Sequence, residues 1–110
     1  MPKLKKIIPY GRQSISDEDV KAVCDVLRSD WITQGPNVEK FENEIASYCG
    51  AKFAVAVCNG TSALHIACLT LDLKNGKKLW TSPLTFIASA NCALYCGAEI
   101  DFVDIDKKTH

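Results

Sequence analysis

The residues Asn59-Gly60-Thr61-Ser62 follow a run of small and β-branched residues, Ala54-Val55-Ala56-Val57-Cys58, and precede the helical pattern Ala63-Leu64-His65. A glycine and two hydroxyls at a helix start gather free backbone N–H groups and the positive end of the helix dipole around one point. A phosphate suits such a turn. The same residues also serve as an ordinary helix cap, which needs no ligand. A second stretch, Thr81-Ser82-Pro83-Leu84-Thr85-Phe86-Ile87-Ala88-Ser89-Ala90-Asn91, comes one strand later. Its Phe86 falls beyond the carboxyl end of the preceding strand, where ligands of open α/β sheets sit. There the ring could lie flat on a planar cofactor, with offset stacking contributing ~1 kcal/mol beyond burial. Core packing is the competing role for that ring.

Other chemistries find less support. Neither a Walker loop nor a dinucleotide fingerprint is present. No Ser/His/Asp or Cys/His set has the order or spacing of a nucleophilic site, and His65 reads as a satisfied helix residue. The six cysteines, at 24, 49, 58, 68, 92 and 96, include no Cys-x-x-Cys. Cys92 and Cys96 stand one helical turn apart, but His65 and His110 are too distant in sequence to complete a zinc pattern, so no metal is expected. Buried free thiols in a reducing cytoplasm are the expectation instead. Thirteen basic and thirteen acidic side chains cancel, which removes the simplest case for nucleic acid or an anionic membrane. Lys3, Lys5 and Lys6 read as a solvated terminus. No signal-peptide core and no run near ~20 apolar residues is visible, so the expected location is the cytoplasm.

The elements that must position these residues follow from spacing. Residues 1–13 read as an arm, disfavoured from regular structure by Pro9-Tyr10-Gly11. Ser14 or Ser16 caps a helix over 17–28, with Asp17 or Asp19 three positions on and Val20, Val23, Cys24 and Leu27 on one face. Trp31-Ile32-Thr33-Gln34-Gly35-Pro36 interrupts it. A second helix starts near Asn37, with Val38, Phe41, Ile45 and Tyr48 on one face, and ends at Gly50. Beyond residue 52 the pattern alternates: strands at 53–58, 78–81 and 99–103, helices at 61–71 and 86–96. The first strand has few polar positions, as in a sheet covered on both faces. Such alternation implies βαβ units and a mostly parallel sheet, an α/β fold. Two parts result: an arm with two helices over 1–52, and a βαβαβ portion over 53–110. Three strands leave a thin sheet with an open edge, so the chain is expected to be the opening part of a larger α/β domain.

Asn59 to His65, Thr81 to Asn91 and Trp31 to Pro36, with Val38 and Phe41-Glu42, together resemble the DegT/DnrJ/EryC1/StrS family over residues 7–106. The resemblance implies the N-terminal part of the large domain of a fold type I, pyridoxal-phosphate-dependent sugar aminotransferase. It implies that Thr61 and Ser62 hold the cofactor phosphate, that Gly60 lets the backbone approach it, and that Phe86 stacks on the pyridine ring. Tyr10 and the Trp31–Gly35 loop, with Thr33, fall where the family builds part of its sugar-nucleotide side. Asn91 belongs to the motif without an assigned role. The lysine that bonds the cofactor and the carboxylate at its pyridine nitrogen come from family segments beyond residue 110. None of the eleven lysines here lies in that motif, so no catalytic residue is expected in this chain and it should be inactive alone.

Tyr10-Gly11-Arg12-Gln13 and Ala90 to Ala98 resemble the family's pseudaminic acid branch. That implies transfer of an amino group from L-glutamate to C4 of a UDP-linked 4-keto-6-deoxy-N-acetylhexosamine, by a homodimer. The alternatives are a perosamine-type aminotransferase, a family dehydratase with histidine in place of the lysine, or a truncated chain with no activity of its own.

Overall fold

The computed structural model describes residues 9–109. The Lys3-Lys5-Lys6 cluster, the first eight residues of the expected arm, and His110 lie outside them. The chain divides into two units, one ending at Ala54 and one beginning at Val55.

The first unit holds two helices, α1 (Asp17–Leu27) and α2 (Pro36–Cys49). Ser16 starts α1 with a capping box. The Asp19 N–H donates to Ser16 Oγ at 3.2 Å, and the Ser16 N–H donates back to Asp19 Oδ2 at 2.8 Å. The Ser16 backbone N–H first, and then the Ser16 hydroxyl, which donates to Asp19 Oδ2 at 3.1 Å, hold the Asp19 carboxyl below its ordinary pKa. Gly35-Pro36 does more than interrupt the chain, because Pro36 enters α2 in its first turn, where a missing N–H costs nothing. Gly50 ends α2 in the left-handed region at φ 64, its N–H bonding back to Ala46 and Ser47. The apolar stripes are where spacing put them, yet they are uncovered. Val20, Val23 and Leu27 are exposed, as are Val38, Phe41, Ile45 and Tyr48, and only Ala46 of the two helices is buried.

The second unit contains α3 (Gly60–Thr70), β1 (Lys78–Thr81), α4 (Ala88–Tyr95) and β2 (Glu99–Phe102). β1 and β2 pair in parallel, with Lys78 opposite Glu99 and Thr81 opposite Phe102. The α4 crossover packs on both strands and on α3. Among the described residues the sheet has two strands where three were expected. Residues 53–58 form no ladder, and Phe53 and Val55 are each 75% exposed rather than covered on both faces. β-branched residues favour an extended chain, but a strand exists only through pairing, and β1 and β2 pair with each other. α3 closes through Asp72, a non-glycine at φ 55, whose carboxyl is pulled below its ordinary pKa by Lys74 and then Lys77. Gly97, at φ 73, follows α4.

The buried side chains of this unit are Cys68, Ala88, Ala90, Cys92, Ala93 and Ala98. All are small, which lets α4 approach α3 and the strands closely. The expectation of buried thiols holds for Cys68 and Cys92; Cys24 and Cys96 are half-buried, and Cys49 and Cys58 are exposed. Burial, helped by Cys92 and Cys96, pushes the Cys68 thiol from its ordinary 9.0 up to about 11. Iodoacetamide at pH 8 is therefore expected to label Cys49 and Cys58 in the native protein. Cys68 and Cys92 should react only after denaturation, and rapid native labelling of Cys68 in peptide mass maps would contradict this packing. In the window from 9.0 to about 11 the unfolded chain loses the Cys68 proton first, so this contribution to stability is complete below the window and falls as pH rises through it.

Candidate functional site

The turn into α3 is built by Asn59, whose extended backbone (φ −167, ψ 169) makes it the N-cap. Its Oδ1 accepts the Ser62 N–H at 2.8 Å, and its carbonyl accepts the Ala63 N–H at 3.2 Å. Two of the four first-turn amides are thereby satisfied within the turn. Gly60 and Thr61 supply the other two, which point out of the helix start with no protein acceptor among the described residues. The Asn59 Nδ2 donates to Cys58 Sγ at 3.4 Å, and Cys58 Sγ lies 3.3 Å from Ser62 Oγ.

Gly60 needs no glycine for its own conformation. Its φ is not in the left-handed region, and a Cβ built on it would meet nothing within 4 Å. The space in front of it belongs to a cavity of about 550 Å³, lined by Gly60, Thr61, Ala63 and Leu64 of α3 and by Phe86, Ala88 and Ser89. Phe86 stands two residues before α4, not within it as the spacing suggested. Its carbonyl accepts the Ser89 N–H at 3.0 Å, so the chain tightens into the helix after the ring. The ring is 74% exposed, which removes core packing as its role in the described chain. Thr85 Oγ1 and Ser89 Oγ lie 3.0 Å apart at the same start. The first turns of two helices thus border one cavity, and both dipoles make it favourable to an anion. His65 is half-buried against Tyr95, ring centroids 5.4 Å apart and edge-on.

Of the residues singled out by sequence, Gly60, Thr61 and Phe86 meet at this cavity, and Ser62 sits beside it with its N–H and hydroxyl engaged by Asn59 and Cys58. Tyr10, Trp31, Thr33 and Gly35 belong to the first unit. Tyr10 and Thr33 are exposed. Trp31 and Gly35 border a small hollow of about 100 Å³ with Val26, Ile32 and Val38. Gly35 is required there: φ is 146, and an added Cβ would lie 2.6 Å from Trp31 Cβ. A larger hollow of about 680 Å³ along α2 is one helix's own surface, crossed by the exposed Lys40–Glu44 pair at 3.8 Å. Its size gives it no chemistry.

Sequence reading missed two participants. Asn59, and not Thr61 or Ser62, caps the helix; an Asn three residues before a first-turn Ser was the available signal. Cys58 was counted among buried thiols, and nothing in its spacing ties it to Ser62. Among the described residues, no three His, Cys, Asp or Glu side chains gather to hold a metal ion, and no helix is long and apolar enough to cross a membrane.

Residues 13–110 match the DegT/DnrJ/EryC1/StrS aminotransferase family. The chain belongs to that family. The spore coat polysaccharide biosynthesis protein SpsC of Bacillus subtilis is 40% identical over 97% of this chain and 28% of its own length. Spr1654 from Streptococcus pneumoniae, described as a sugar aminotransferase and solved in a PLP form, superposes with a TM-score of 0.85 at 29% identity, over 93% of this chain and 26% of that one. Helicobacter pylori PseC, an aminotransferase involved in the biosynthesis of pseudoaminic acid, superposes with a TM-score of 0.83 at 31% identity, over 92% and 28%. The chain thus spans about a quarter of the length of these proteins. Its α/β arrangement is that of part of these aminotransferases.

Proposed function

We propose that this chain supplies the cofactor-phosphate and ring-stacking part of a pyridoxal-phosphate-dependent nucleotide-sugar aminotransferase. The observation that carries the reading is the meeting of the free Gly60 and Thr61 amides with the exposed Phe86 ring at one cavity, in a chain of this family. The residues fit the cofactor. Gly60 leaves open space where a Cβ would stand, so a phosphate oxygen can approach the backbone there. The N–H groups of Gly60 and Thr61 and the hydroxyls of Thr61 and Ser62 donate to that phosphate. Phe86 covers one face of the pyridine ring and keeps water from it. When bound, the cofactor supplies an electron sink for the carbon that loses its proton. The chain's own part is to fix that group's position and orientation.

L-glutamate is the proposed amino donor, and the proposed acceptor is C4 of a UDP-linked 4-keto-6-deoxy-N-acetylhexosamine. Tyr10, Trp31, Thr33 and Gly35 are proposed for its sugar-nucleotide side, and a homodimer for the assembly. The likeness to Helicobacter pylori PseC supports this acceptor, as do the stretches at Tyr10–Gln13 and Cys92–Cys96. The 40% identity to SpsC favours a second reading, a different nucleotide sugar destined for a surface polysaccharide. Supplying the full-length protein with glutamate and the UDP-linked keto sugar should yield the amino sugar by mass spectrometry. Turnover of only a GDP-linked keto sugar would move the assignment.

Binding tests the cofactor part separately. Phe86→Ala is expected to weaken pyridoxamine 5′-phosphate binding about five- to tenfold, and Phe86→Tyr to retain it. Equal affinity of the alanine variant in calorimetry would remove the ring from the site.

A further inference from the structure

The sulfur of Cys58 has no part in the cofactor reading, yet it stands inside the polar network of the same turn. It receives the Asn59 Nδ2 donor at 3.4 Å and lies 3.3 Å from Ser62 Oγ. Asn59 grips the turn from both ends of its amide, because its Oδ1 holds the Ser62 N–H at 2.8 Å. Ser62 is therefore fixed by its backbone through Asn59 and by its side chain through Cys58. We infer that Cys58 is a positioning residue, whose thiol sets the direction of the Ser62 hydroxyl toward the phosphate; this rests on the cofactor reading above.

The direction of the hydrogens follows from what each atom can do. A phosphate accepts hydrogen bonds, so the turn must present donors to it. With Asn59 Nδ2 donating to the sulfur, the thiol hydrogen is available for Ser62 Oγ. The Ser62 hydroxyl hydrogen is then free to point at the anion. Without a partner at position 58, the Ser62 hydroxyl is free to rotate toward a nearby backbone carbonyl, the kind of local bond serines make, and to withdraw that donor. Cys58 is exposed, so it occupies this place with no demand from core packing.

The test measures affinity of the full-length protein for pyridoxamine 5′-phosphate and for pyridoxamine, which lacks the phosphate. Cys58→Ala and the similarly sized Cys58→Val are expected to weaken the phosphorylated probe about three- to tenfold and leave the other unchanged. Cys58→Ser should stay within about twofold of the unaltered protein, since its hydroxyl can also donate. In a Ser62→Ala background the Cys58 substitutions should add nothing. Equal losses for both probes, unchanged affinity, or full additivity with Ser62→Ala would overturn the role. Thermal melts identify any variant that fails to fold, and either apolar variant alone carries the comparison. If the unaltered protein binds both probes alike, the phosphate reading falls and Cys58's role with it. If it prefers the phosphorylated probe and the Cys58 variants match it, only Cys58's role falls.

Discussion

Alanine at position 60 is expected to leave the protein folded and to weaken its hold on pyridoxal 5′-phosphate about ten- to a hundredfold, the loss of one hydrogen bond to a charged group. Both halves of that result come from the same geometry. The backbone at Gly60 is accessible to any residue, and beyond its chain neighbours and the backbone of α3 itself nothing stands within 4 Å of an added Cβ. Alanine even favours the helix it would begin. The methyl group instead enters the cavity, where a phosphate oxygen would meet the Gly60 and Thr61 amides. Thermal melting and calorimetry of the one variant separate the two effects. A lower melting temperature with unchanged affinity would show that the glycine serves the fold.

Gly35→Ala is expected to do the opposite. At φ 146 and ψ −170 the backbone is in a region open essentially to glycine alone, a cost of about 1–3 kcal/mol for another residue. The added Cβ would also strike the Trp31 Cβ at 2.6 Å and Cγ at 3.0 Å, so either the ring or the turn into α2 must move. The full-length variant should melt several degrees lower in circular dichroism. An unchanged melt would mean that the turn accommodates the methyl group. A loss of sugar-nucleotide affinity in this variant would say little about contact, because the turn itself has changed. Thr33, exposed on the same loop, is the cleaner probe of that side.

Local chemistry explains which elements were legible in the sequence. Ser16 and Asp19 are three residues apart and satisfy each other's backbone, so α1 starts where they say. Gly50 adopts the left-handed conformation that ends α2, and β1 and β2 fall within a residue of their expected bounds. Residues 53–58 differ because pairing is not local: Val55 and Val57 favour extension but carry no information about a neighbour. The exposed apolar stripes have the same cause, since periodicity identifies a face and not what covers it. In the site, Gly60, Thr61 and Phe86 were visible by type and position. The ring's place two residues ahead of α4 was not, because Ile87 and Ala88 permit a helix to begin at either point. The sulfur at Cys58 was invisible for a further reason, since its partner Ser62 is reached through the geometry of the Asn59 cap.

The alanines of α4 set a one-sided rule for variation. Ala93 is wholly enclosed and Ala88 nearly so, with Cys92 beside them, where α4 meets α3 and the strands. Any added methylene there has to push a helix off its neighbours, and overpacking of that kind costs about 1–3 kcal/mol. Shaving a methyl group away merely lowers helix propensity, by about 1 kcal/mol. A library that randomises these positions would therefore return small residues only, and the spacing between the first turns of α3 and α4 would be inherited unchanged while the rim of the cavity, at Leu64 and Ser89, remains free to diverge.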